Sequence, residues 1–127
     1  MLLDTNVIIS ILENDDRITS EVRTRLSDPT SDCLCSIVSL WEVAIKLALK
    51  KLTLGVSIGD LPTVLIEQAN IRILHLTTRH VTDLATLPHH HRDPFDRMLI
   101  AQAQSERMTI VTRDRIFERY NVGVMIA

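Results

Sequence analysis

The sequence predicts an α/β protein: a mostly parallel central sheet of about five strands, covered by helices on both faces in three layers. Three observations carry this. Short apolar runs alternate with helical patterns along the chain. The runs are near-continuously apolar, as in strands buried on both sides. The chain's 127 residues suit one domain, and no Gly/Pro/Ser-rich linker or repeat divides them. Residues 1–127 are read as a single domain.

Taken in order, Met1–Leu3 reads as the first strand and Val7–Glu13 and Asp16–Leu26 as helices. Cys33–Ile37 is the second strand. Leu40, Val43, Ala44 and Leu47 then obey the i, i+3, i+4, i+7 rule of a helix, with Trp41 assigned to the core. Asp60–Ala69 is helical, Ile71–Leu76 a strand and Thr78–Leu87 a helix. Phe95–Arg107 carries Leu99, Ile100 and Ala103 at helical spacing, and the strands Met108–Thr112 and Val122–Ile126 close the chain.

Composition narrows the function. Apolar residues make up 46% and mean hydropathy is +0.14, enough for a packed core without metal or disulfide staples. The net charge of −2 excludes a chain that is basic throughout. Four aromatics are too few for a base-stacking platform. The longest stretch without a charged residue, Cys33–Trp41, is far short of a membrane span, and Asp4 interrupts the first apolar run, so no secretory leader is expected. Cys33 and Cys35 read as reduced core thiols, which suits a cytoplasmic protein. Glycines at 55, 59 and 123 supply neither a P-loop nor a dinucleotide fingerprint. There is no zinc-hydrolase helix and no serine elbow.

What remains is acidic. In open α/β sheets, sites lie beyond the carboxyl ends of the strands. Asp4 ends the first strand and Asp114 the fourth. Glu42 is placed in the first turn of the helix after the second strand, and Asp96 in the first turn of the helix before the fourth. Each has an ordinary explanation. Ser39-Leu40-Trp41-Glu42 fits a capping box, and Asp93-Pro94-Phe95-Asp96 fits a capped start with proline at N1. Asp4 and Asp114 could each cap the next helix in the chain. Together, four carboxylates at one mouth repel one another, and a divalent cation would relieve that. Oxygen-only ligands suit Mg²⁺ or Mn²⁺.

Motifs around these acids carry a resemblance. Leu2-Leu3-Asp4-Thr5-Asn6, Ser39-Leu40-Trp41-Glu42-Val43-Ala44-Ile45-Lys46, the stretch from His91-Arg92-Asp93-Pro94-Phe95-Asp96 to Ala103, and Val111-Thr112-Arg113-Asp114 resemble, in order and spacing, the four acidic motifs of PIN domains. Within that family the chain is most similar to VapC-type toxins of toxin–antitoxin pairs. The resemblance implies a PIN-like fold and a Mg²⁺-dependent endoribonuclease, with Mn²⁺ able to substitute. It carries the catalytic quartet onto Asp4, Glu42, Asp96 and Asp114, with Asp4, Asp96 and Asp114 as metal ligands. Asp93 competes with Asp96 for the third place. Position 97 is Arg where many relatives have a small residue. A homodimer and a cognate antitoxin are implied too; no membrane association is expected.

In this reading a metal-activated water hydrolyses an RNA phosphodiester, leaving 5′-phosphate and 3′-hydroxyl ends. Thr5, Asn6, Lys46, Thr112 and Arg113 are candidate substrate contacts. Their ordinary alternatives are caps, turns and, for Lys46, an i,i+4 pair with Glu42. His89–His91 read as a solvated loop, with His91 near enough to the acids to move a proton. Competing readings are a phosphohydrolase with Asp4 as nucleophile, which lacks the second acid at Asn6, an inactive PIN-fold binding module, and a structure-specific DNA nuclease.

Overall fold

The computed structural model describes all residues, Met1–Ala127. Its sheet has five strands: β1 (Leu2–Leu3), β2 (Cys33–Ser36), β3 (Ile71–Leu74), β4 (Thr109–Thr112) and β5 (Gly123–Ile126). Their spatial order is β3-β2-β1-β4-β5, and every pairing is parallel. The helices are α1 (Thr5–Leu12), α2 (Ser20–Ser27), α3 (Ile37–Ala48), α4 (Leu61–Ala69), α5 (Thr78–Ala85) and α6 (Pro94–Glu106); a 3₁₀ turn spans Arg115–Arg119.

Strand periodicity divides the core in two. Leu3, Cys33, Cys35, Ile71 and Val111 point to one face. There they meet Val7 and Ile8 of α1, Val22 of α2, Leu40 and Val43 of α3, and Leu61 and Leu65 of α4. Leu2, Leu34 and Ile110 point to the other. There they meet Leu99, Ile100 and Ala103 of α6, with Phe117 and Tyr120. Both faces are covered, which is why the strands read as continuous apolar runs. Both cysteines are free and buried, and burial pushes the Cys35 thiol up to about 12.

Two local expectations are corrected. Asp16–Leu26 begins later, because Thr19 is the N-cap of α2 and its hydroxyl accepts from the Val22 N–H. The third helix begins earlier, because its N-cap is Ser36 and not Ser39. The Ser36 hydroxyl accepts from the Val38 N–H at 3.0 Å and donates to Gln102 Oε1 at 2.5 Å. Ser36→Ala removes a cap and strands a buried amide oxygen. It is expected to destabilise by about 1–2 kcal/mol, seen as a lower urea midpoint at unchanged m-value.

The strand order matters most for the site. The chain runs outward from β1 through β2 to β3, then crosses back to place β4 on β1's other side. The crevice between β1 and β4 is therefore the topological switch point. The Asp4 N–H donates to the Val111 carbonyl at 2.9 Å, fixing the two strand ends side by side there.

Candidate active site

Asp4 leaves the end of β1 with extended backbone and opens α1, but its side chain caps nothing. Its Oδ2 instead accepts from Thr112 Oγ1 at 2.8 Å, at the end of β4. Asp4 is 4% exposed and Thr112 fully buried. Burial raises the Asp4 carboxyl above its usual range, against the Thr112 and Thr5 hydrogen bonds and with the charges of Glu42 and Asp114.

Asp93 and Asp96 divide the roles that the sequence leaves open. Asp93 is the N-cap of α6: its Oδ1 accepts from the Phe95 N–H at 2.8 Å, and from that of Asp96. Asp96, one turn inside, points into the cluster. Its carboxyl is pushed up to about 8, chiefly by burial, then by the charges of Asp4, Asp93, Glu42 and Asp114. The quartet therefore shares one electrostatic field.

Glu42 lies not in the first turn of its helix but in the second, since α3 starts at Ile37. A capping box is therefore out of reach. Its Oε2 pairs with Lys46 Nζ at 3.4 Å, whereas its Oε1 is buried with no hydrogen-bond partner. A buried carboxylate oxygen with no donor is costly unless something positive occupies the adjacent space.

Asp114 caps the 3₁₀ turn through Oδ1, which accepts from the Ile116 N–H at 2.9 Å, and its Oδ2 lies 3.0 Å from His91 Nε2. Burial would raise its carboxyl, but the Ile116 and His91 hydrogen bonds outweigh it and hold it below the usual value. Ligand atoms of His91, Asp96 and Asp114 lie within 4.8 Å of one another. Four carboxylates at one mouth, one with an orphaned oxygen and two with raised carboxyls, form an oxygen-donor set that fits Mg²⁺ or Mn²⁺.

The other expected contacts differ in where they stand. Thr5 is buried and its hydroxyl donates to Ser39 Oγ at 3.0 Å, so both serve packing beneath the site. Asn6 is exposed at the start of α1. Thr112 is tied to Asp4 and also accepts from the Asp114 N–H at 3.0 Å, a positioning place rather than a substrate-facing one. Arg113 reaches Asp15 at 3.4 Å. Lys46, Lys51 and Arg92 line a groove with Glu42, Asp93 and Phe95, so its cations lie directly beside the acids. A separate depression between α1 and α4, lined by Ile11, Leu12, Val64 and Leu65, is apolar and holds none of the acids.

Two residues depart from expectation. Trp41 is 62% exposed, on the side of α3 away from Leu40 and Val43, with its ring edge-on to Phe95 at 5.0 Å. His89 and His90 are exposed as a solvated loop should be, but His91 is buried against Phe117 and Tyr120. Its place near Asp93 in the chain hints at the site; the pairing with Asp114, distant in sequence, has no local signal.

Fold and geometry together mark a class: all-parallel α/β proteins with an acidic, oxygen-donor site at the switch point of the sheet. Comparison with known proteins identifies the family. The PIN domain model matches residues 1–123, and the chain belongs to the PIN-domain family. None of the curated proteins matches it significantly. Among solved structures it is similar to DNA-bound VapBC from Salmonella typhimurium, with 20% identity, a TM-score of 0.68, and coverage of 98% of this chain and 96% of that one. VapBC2 from Rickettsia felis, bound to a DNA fragment from their promoter, gives 14%, 0.72, 98% and 96%. FitAcB from Neisseria gonorrhoeae gives 25%, 0.65, 98% and 95%. No helix is long and apolar enough to cross a membrane.

Proposed function

We propose that this chain is a divalent-metal-dependent endoribonuclease, acting as the toxin of a toxin–antitoxin pair. The observation that carries the nuclease reading is the acid cluster, above all the half-buried Asp96 carboxyl among four other carboxylates and the partnerless Glu42 Oε1. Membership in a family whose members are generally nucleases supports it. So does the likeness to toxin–antitoxin complexes, which also supports an antitoxin protein as partner. A homodimer and a cytoplasmic setting belong to the same reading.

Asp4, Asp96 and Asp114 would hold the cation, and Glu42 would complete the quartet. Mg²⁺ bound there, or Mn²⁺ in its place, would supply charge neutralisation, a Lewis acid for a phosphoryl oxygen and a more acidic water. The chain does the rest. Thr112 fixes Asp4 through its hydroxyl. Lys46 offsets part of Glu42's charge. Lys46, Lys51 and Arg92 in the neighbouring groove, with Arg113 and Asn6, bind phosphates on either side of the scissile bond without reading sequence.

The test is cleavage of total cellular RNA by purified protein, with Mg²⁺ or Mn²⁺ against EDTA, and with Asp4→Ala alongside. The expected products are discrete, metal-dependent fragments ending in 5′-phosphate and 3′-hydroxyl, absent from the variant. Cyclic 2′,3′-phosphate ends would overturn the mechanism, because they require the 2′-hydroxyl as nucleophile. A phosphoryl group trapped covalently on Asp4 would replace it with the phosphohydrolase reading.

A further inference from the structure

We infer that Tyr120 and His91 are positioning residues that aim the Asp114 carboxylate into the acid cluster, and that His91 is not itself a ligand of the cation. The inference rests on reading the cluster as a cation site. By distance alone His91 passes for a ligand, since its ring nitrogen groups with Asp96 and Asp114.

The Tyr120 hydroxyl decides otherwise. A phenol has one hydrogen to give and two lone pairs to receive. The backbone N–H groups of His91 and His90 donate to this oxygen at 2.8 and 3.1 Å. Both lone pairs are thereby engaged. The phenolic hydrogen is left for His91 Nδ1, 3.3 Å away. If Nδ1 accepts, the ring hydrogen sits on Nε2, and Nε2 donates to Asp114 Oδ2 at 3.0 Å. A nitrogen that carries a hydrogen has no lone pair for a metal.

The ring is also held in place. It stacks on Tyr120 at 16° between planes and meets Phe117 edge-on at 4.7 Å. Asp114 thus receives one donor on each oxygen, Ile116 N–H on Oδ1 and His91 on Oδ2. Each oxygen keeps acceptor capacity for the cluster. Nothing else fixes this side chain, which stands on a connection after β4 and is 39% exposed. Outer hydrogen bonds of this kind set ligand orientation and typically change metal affinity or activity by about 10–100-fold.

The experiment has two arms on the full-length chain. In the first, ¹⁵N NMR of the metal-free protein reads the His91 tautomer. A hydrogen on Nε2 is expected. In the second, Mn²⁺ is titrated by calorimetry and the complex examined by pulsed EPR. No directly bonded ¹⁴N is expected. His91→Leu should weaken Mn²⁺ binding about 10-fold or more, and His91→Gln, whose amide can donate to Oδ2, should recover most of it. Should His91→Leu fail to fold, Tyr120→Phe keeps the ring packing and should shift Mn²⁺ affinity in the same direction. A nitrogen signal lost in His91→Gln would make His91 a ligand and overturn the inference. So would a hydrogen on Nδ1 in the native chain, or unchanged Mn²⁺ affinity in folded His91→Leu. Absence of Mn²⁺ binding by the native protein would overturn the cation reading and this inference together, and the native titration alone distinguishes that case.

Discussion

Asp96→Asn is expected to abolish cleavage while making the metal-free protein more stable. The two effects have one cause. In the folded chain the Asp96 carboxyl is pushed up to about 8 by burial and by Asp4, Asp93, Glu42 and Asp114, from an ordinary value of 3.8. Between those values the folded state binds a proton that the unfolded state does not. Stability of the metal-free chain from this group therefore rises as pH falls from about 8 towards 4, and is lost as pH climbs back through about 8. Asparagine carries no charge, so the penalty disappears at neutral pH. In EDTA at pH 7.5 the variant should melt above the native chain, and the gap should close near pH 5. Each 1 kcal/mol would appear as roughly 4 °C in a domain of this size. Mg²⁺ should raise the native Tm and act far less on the variant. Cleavage should fall by at least about 10²-fold, the scale of a lost transition-state contact. A variant that melts lower than the native chain in EDTA would contradict the unneutralised cluster.

Thr112→Val is the second large effect, and it comes from a fully buried residue. The substitution preserves β-branching and nearly preserves volume. It removes the hydroxyl that donates to Asp4 Oδ2 at 2.8 Å and accepts from the Asp114 N–H at 3.0 Å. Water cannot easily replace the hydroxyl beside Asp4, which is 4% exposed. A loss of about 1.5–3 kcal/mol is expected, the range for a hydrogen bond to a charged group. Cation affinity should fall with it, by about 10–100-fold, because Asp4 loses its orientation. Thr112→Ser keeps the hydroxyl and should recover most of the affinity. Urea denaturation and Mn²⁺ calorimetry measure the two separately. If Thr112→Val bound Mn²⁺ like the native chain, Thr112 would have no part in orienting the site.

The acids illustrate how far a sequence can be read. A rule about strand ends places Asp4 and Asp114, and β1 and β4 do run side by side with those ends together. The Asp-Pro signature confines Asp93 and Asp96 to one helix start, and the structure gives the cap to Asp93. The local reading of Glu42 is corrected. The Ser-x-x-Glu pattern suggests a capping box, whereas Ser36 caps α3 and its hydroxyl also reaches Gln102 on α6. Helix propensity alone cannot choose between two serines three residues apart. Trp41 is misassigned to the core because α3 is apolar on more than one side, and periodicity does not say which stripe meets the sheet.

Fold class, the order of elements and the placing of candidate acids at strand ends and helix starts are legible in the chain alone. These are local or periodic properties: apolar runs, helical spacing, Pro and Asp at a helix start, and carboxylates at strand ends. What the acids do to one another is settled only in the folded molecule. Thr112 on Asp4, the orphaned oxygen of Glu42, and Tyr120 behind His91 behind Asp114 depend on residues far apart in the chain. The shifts they impose depend on burial and on distances across the β1–β4 crevice. Both exist only once the parallel sheet has brought its carboxyl ends together.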